Sequence, residues 1–137
     1  MISKQLIGLC VLAGMVLMIN AKIMAQARLK INNNSQREMT VKVMRDLYYS
    51  DELHEIVEIG PYESKTIFFS TTEDYYTKTK AVSPGRNPVY RKGSPFNVYN
   101  GSDGYSVLEL TFTIIESNTP EITGGKQISK EEFEKNN

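Results

Sequence analysis

The pattern that most constrains this chain is a period of two. Leu108, Leu110, Phe112 and Ile114 occupy alternate positions, with Glu109, Thr111 and Thr113 between them. Successive side chains of an extended backbone point to opposite faces, so this spacing yields one apolar and one polar face only on a strand. The same alternation sets Leu29 with Ile31, and Met39, Val41 and Val43 against Thr40, Lys42 and Met44. It returns at Val57 and Ile59, at Ile67 and Phe69, and at Tyr75, Thr77 and Thr79 against Tyr76, Lys78 and Lys80. Val89 and the pair Phe96 and Val98 mark two shorter strands. Thr, Val, Ile and Phe suit a pleated surface.

Turn-forming clusters separate these runs: Asn32-Asn33-Asn34-Ser35, Gly60-Pro61, Ser83-Pro84-Gly85, Gly93-Ser94-Pro95 and Asn100-Gly101-Ser102-Asp103-Gly104. Each offers a fixed φ, a tolerated positive φ or a local side-chain hydrogen bond. Short strands at this spacing predict an all-β fold, a single antiparallel immunoglobulin-like β-sandwich of about seven strands. Residues 48–58 fit either a short helix, with Leu47, Leu53 and Ile56 on one side and Asp51, Glu52 and Glu55 suiting its N-terminal half, or a loop feeding the next strand.

The N-terminal segment, 1–27, follows a different logic. Behind Lys4, positions 6–19 carry no charge and no strongly polar group. A membrane-spanning helix needs about 20 apolar residues. The run is too short for that and suits the core of a secretory signal peptide, and Ala25-Gln26-Ala27 has the small–x–small pattern of a cleavage site. The expected organisation is a signal peptide at 1–27, a β-sandwich domain at 28–116, and a linker with a short C-terminal helix at 117–137. Cys10, the sole Cys, lies mid-run and reads as one more apolar residue. Cleavage after Ala27 places the protein in the periplasm, cell envelope or extracellular space, with no transmembrane span. An uncleaved N-terminal anchor is the rival, weakened by Lys22.

Cleavage also changes the arithmetic. The whole chain balances Lys+Arg 16 against Asp+Glu 16. The segment 1–27 takes away Lys4, Lys22 and the only Cys, but no acid, so the remainder at 28–137 has a slight acidic excess. Every Tyr and Phe stays. Such a domain must rest on its apolar core rather than on disulfides. In the tail, Ser129 and Glu132 form a capping-box pattern, flanked by Ile128 and Phe133 as a hydrophobic staple, which predicts a short helix.

Catalytic and metal-binding patterns are sparse. The single His, His54, stands among Asp51, Glu52, Glu55 and Glu58, without a second His or a zinc-binding spacing. Neither a GxSxG elbow nor a phosphate-binding Gly loop occurs. No catalytic residue, metal ligand or cofactor is therefore assigned. The strongest chemical signal is charge segregation. The stretch 77–92 holds Lys78, Lys80, Arg86, Arg91 and Lys92 with no acid, and the stretch 46–63 is rich in acids with no Lys or Arg. With Tyr90, these cations form a candidate face for a protein or anionic envelope component. The balanced total charge argues against specific nucleic-acid binding. Tyr48-Tyr49 and Tyr75-Tyr76 are candidate sugar platforms. Asn33 and Asn100 open N-x-S sequons.

Asn33-Asn34-Ser35, Ile59-Gly60-Pro61 leading to Thr66-Ile67-Phe68-Phe69, and the run from Asp74 to Lys80 resemble small exported bacterial β-sandwich proteins of unknown function. The resemblance covers about residues 28–116 and implies a fold but no catalytic residue. Three functions are compatible with these observations. The leading one is an exported, non-enzymatic interaction or envelope-associated module. The others are a small metal-dependent hydrolase using His54 and neighbouring carboxylates, and a self-assembling subunit whose C-terminal helix engages a neighbour.

Overall fold

The computed structural model describes residues 26–137. The expected signal segment, 1–27, with Cys10, lies outside the described residues apart from Gln26 and Ala27. The described chain is mostly β. Its longer strands are β1 (Ala27–Asn34), β2 (Glu38–Arg45), β3 (Glu52–Ile59), β4 (Ser64–Phe69), β5 (Glu73–Val82), β6 (Val89–Lys92), β7 (Phe96–Val98) and β10 (Val107–Ile115). Very short strands are β8 (Asn100–Gly101), β9 (Gly104–Tyr105), β11 (Glu121–Ile122) and β12 (Lys126–Gln127), and a helix, α1, spans Lys130–Glu134.

Among the described residues, three sheets form. One has the order β11-β10-β1-β4, and a second has the order β12-β6-β5-β2-β3 with β7 also on β5. A small hairpin joins β8 to β9. Every described pair is antiparallel except β1 with β10, which run parallel from Arg28↔Val107 to Asn34↔Thr113. That corrects the wholly antiparallel expectation. A parallel pair needs a long connection, and nearly the whole domain lies between these two strands.

The alternation sorts the faces as predicted. Leu29, Ile31, Ile67, Phe69 and Phe112 of the first sheet share one buried cluster with Met39, Val41, Val43, Ile59, Tyr75 and Val98 of the second. Leu108, Leu110 and Ile114 pack against it. The stretch 48–58 is neither helix nor loop over most of its length, because Glu52–Ile59 is β3. A register shift hid this from the sequence. Val43 faces Glu55 and Met44 faces Leu53, so His54 is an extra residue without a partner on β2. A bulge of this kind breaks the period of two.

The segment 117–127, expected as a linker, crosses between the sheets. Ile122 is buried and pairs with Ile114, and Gln127 pairs with Arg91. Gly125 allows the crossing: its φ is +67°, and a Cβ there would collide with the Lys92 carbonyl oxygen.

The helix begins as the capping pattern predicts. The Ser129 hydroxyl accepts a hydrogen bond from the Glu132 N–H at 3.1 Å. Phe133 is buried, its ring 5.5 Å from that of Tyr90. The far end of the helix rests on two lysines. Lys42 Nζ donates to the Phe133 carbonyl and to Asn136 Oδ1, both at 2.8 Å. Lys78 Nζ donates to the carbonyls of Glu132 at 2.9 Å and Lys135 at 3.0 Å. Carbonyls orphaned at a helix C-terminus are thus satisfied by cations from the sheet. Burial lowers the pKa of both lysines, and repulsion from Lys78 adds to this at Lys42.

Candidate functional site

Four residues of the candidate anion-binding face share one side of the β5–β6 pair, where Lys78 stands opposite Lys92 and Lys80 opposite Tyr90, while Arg86 and Arg91 lie elsewhere. Lys78 is buried beneath α1. Tyr90 packs on Phe133, and Lys92 Nζ lies 4.5 Å from the Tyr76 ring centroid. Lys80 is half-buried on the same strand as Lys78, paired with Tyr90 and Thr40. Arg86, in a loop, donates to Glu116 at 2.9 Å. Arg91 donates from Nε to the Gly124 carbonyl and from Nη2 to the Gly125 carbonyl at 2.9 Å. The ion pairs of Lys78 and Arg86 go to Glu132 and Glu116, not to the acidic stretch 46–63.

Glu116 is shared. Arg37, almost wholly buried, grips it with Nε at 2.8 Å and Nη2 at 3.2 Å. The hydrogen bond from Arg37 is the main reason that the Glu116 carboxyl stays below its usual pKa.

His54 has a structural setting. Its ring stacks on Phe69 at 4.9 Å, and Nε2 lies 3.1 Å from the Phe68 carbonyl. A carbonyl only accepts, so Nε2 carries the proton in this contact. The bond ties β3, at the edge of the second sheet, to β4, at the edge of the first. Among the described residues, no group of three or more His, Cys, Asp or Glu is placed to hold a metal ion. The Tyr pairs also separate. Tyr48 and Tyr49 are both almost fully exposed, edge to face at 4.9 Å. Tyr75 lies in the core and Tyr76 is covered, its hydroxyl donating to Asp51 Oδ2 at 2.6 Å.

One feature escaped sequence reasoning. Between the two sheets, under β10, lies a cavity of about 440 Å³. Its apolar walls are Phe96, Leu110 and Phe112, and its polar lining includes Thr77, Thr79 and Arg91. Thr79 is 1% exposed, and its hydroxyl has no hydrogen-bond partner among the described residues. A second cavity of about 490 Å³ adjoins it, sharing Gly93, Ser94 and Gly125 and adding Lys92 and Lys126. The volumes fall in the range of ligand pockets, roughly 300–1,000 Å³.

The strand above the first cavity has a free edge. The Arg28 N–H bonds the Ser106 carbonyl at 3.0 Å, so even-numbered residues of β10 turn their main-chain groups toward β1. Odd-numbered residues turn theirs away. Thr113 finds a partner on that side, because the Thr123 N–H bonds its carbonyl at 2.9 Å. β11 pairs only with Ile114 and Ile115. The N–H and C=O groups of Val107, Glu109 and Thr111 therefore face outward with no strand beside them among the described residues. Val107 is 60% exposed. The alternating sequence of β10 marked it as a strand but carried no sign that one of its edges is unpaired.

Comparison with protein-family models, with curated proteins and with solved structures finds no match. Among the described residues, no helix is long and apolar enough to cross a membrane.

Proposed function

We propose that this protein is an exported, non-enzymatic interaction module on an immunoglobulin-like sandwich, and that it binds an extended polypeptide segment by strand addition to β10. The observation that carries this reading is the row of outward main-chain groups at Val107, Glu109 and Thr111, directly beside an apolar cavity. A bare edge is usually protected by charge, Pro or a covering element. Here β11 and the crossover cover only its last residues. The groups recur at every second residue, the spacing at which a partner strand presents its own donors and acceptors. Charge selects among partners. Lys126 and Lys92 line the adjoining cavity and Arg91 lines the first, which favours a segment with acidic residues flanking an apolar one. The apolar run at 6–19 and the Ala25-Gln26-Ala27 pattern, read as an export signal, support a partner in the envelope or outside the cell.

The test uses residues 28–137 and peptides selected from a displayed library of short extended segments. Bound peptide should slow amide hydrogen exchange at Val107, Glu109 and Thr111. Val107→Pro and Thr111→Pro each delete one outward N–H and leave the β1 ladder in place, and each should weaken binding by about tenfold or more. Selected peptides that bind both variants as tightly as the parent, without protecting these amides, would overturn strand addition. A concentration-dependent dimer protecting the same amides would assign the edge to a second copy instead.

A further inference from the structure

The cavity beneath the free edge has a chemical selectivity of its own. Leu110 points inward, into the cavity wall, while its neighbours Glu109 and Thr111 are the exposed positions of the strand. A residue placed opposite Leu110 on an added strand directs its side chain the same way, because paired residues share a face. That side chain would pass between Phe96, Leu110 and Phe112, which offer only apolar surface. The same cavity is lined by Thr79, whose hydroxyl is buried and without a partner among the described residues. Burying a hydroxyl unpaired is costly, and such groups are rare unless something meets them. The match is a flat apolar body with a hydrogen-bonding group at its far tip.

Resting on the strand-addition reading, we infer that the cavity between the sheets is a side-chain pocket for a tyrosine of the bound segment, with the phenolic hydroxyl paired to Thr79. Leu or Phe would fill the walls and leave Thr79 unpaired. Polar side chains would lose their hydration against the apolar walls. The Arg91 guanidinium, held by the Gly124 and Gly125 carbonyls, is a fixed part of the lining.

The test needs no peptide. 4-Methylphenol is the tyrosine side chain, and toluene is that of phenylalanine. Both are titrated into residues 28–137 and followed by NMR. 4-Methylphenol should perturb Thr79, Leu110 and Phe112, and bind about fivefold tighter than toluene, the effect of one neutral hydrogen bond. Thr79→Val keeps the side-chain shape and removes only the unpartnered hydroxyl, so it should leave the melting temperature unchanged or higher. It should also erase the preference for the phenol. Leu110→Trp, which puts a bulkier ring into the cavity wall, should weaken binding of both probes. Equal binding of the probes to the parent protein, a preference that survives Thr79→Val, or perturbations away from the cavity would overturn the inference. Free probes enter without a strand, so such a failure leaves strand addition standing. Phenol binding that persists while peptides fail to protect the β10 amides would remove strand addition and, with it, the assignment of the pocket to a tyrosine of a bound segment, leaving a phenol-selective cavity.

Discussion

Single side chains at turns hold much of this fold. Asn33 is the clearest. Its Nδ2 donates to the carbonyls of Arg37 at 2.7 Å, Ile59 at 3.1 Å and Gly60 at 3.0 Å, while its Oδ1 accepts from Ser35 at 2.6 Å. One buried amide thus ties the β1–β2 turn to the β3–β4 turn. Its place in a sequon is immaterial to the folded chain, where the amide is already bonded and enclosed. Asn33→Ala should destabilise the protein by about 2–4 kcal/mol, because four side-chain hydrogen bonds go and the Arg37 and Ile59 carbonyls stay buried. Urea denaturation checks this, and a loss under about 1 kcal/mol, the worth of one ordinary hydrogen bond, would show that those carbonyls find other partners. The sequence marked Asn33 as a turn residue. It could not show which side chain of the cluster 32–35 turns inward, because that depends on strands distant along the chain.

At the scale of elements, α1 is the most instructive. It is too short for a stable helix in water, so its cap and its docking must hold it. Phe133 on Tyr90 and the bonds from Lys42 and Lys78 supply the docking. Phe133→Ala should cost about 2–4 kcal/mol, at the low end for a buried Phe because the helix can undock without opening the core. Hydrogen exchange should rise across 129–136 and stay slow in β2 and β5. The same variant has a pH signature. Burial holds the folded-state pKa of Lys42 and Lys78 below the ordinary value of 10.5. The unfolded chain then binds more protons between the folded value and 10.5, and stability rises with pH across that window. Tyr76, whose pKa burial and Asp51 raise, opposes this above its ordinary value of 10.0. Undocking α1 hydrates both lysines and should flatten the rise. An unchanged slope would mean that they stay buried without the helix.

β3 and β10 show where elements exceed local reading. β10 alternates without a break and was legible in full. β3 was not, because its bulge at His54 puts consecutive residues out of phase. Nothing in the stretch 52–59 marks the bulge. It follows from pairing with β2 and from the fit of the His54 ring on Phe69.

For the whole molecule, the charge segregation seen along the chain is only partly kept in space: Lys78, Lys80 and Lys92 share a face, and Arg86 and Arg91 leave it. The basic run divides between the covered outer side of its sheet, a loop on Glu116, and the cavity lined by Arg91. Charges two apart on a strand share a face, but turns and covering segments then separate them. The N-terminus carries a prediction at this scale. Ala27 is the first residue of β1, buried and opposite Phe69. Cleavage after it removes that pair but leaves the Arg28 nitrogen beside the Ser106 carbonyl as the new chain start. Mass spectrometry of the exported protein should find Arg28 first. A chain retaining Met1 in the membrane would overturn export by cleavage.

By itself, the sequence determined most of the longer strands, which face of each of these is apolar, and where the C-terminal helix starts. These follow from spacing and capping, which act over a few residues. The tertiary structure alone decided that β1 and β10 run parallel, that Lys42 and Lys78 serve as a helix cap, and that Val107, Glu109 and Thr111 face outward unpaired. It also decided that a cavity with an unmatched hydroxyl lies under that edge. Each of these depends on which distant strands pair and in what register. Alternation fixes the face a side chain takes but leaves open which strand, if any, lies beside it.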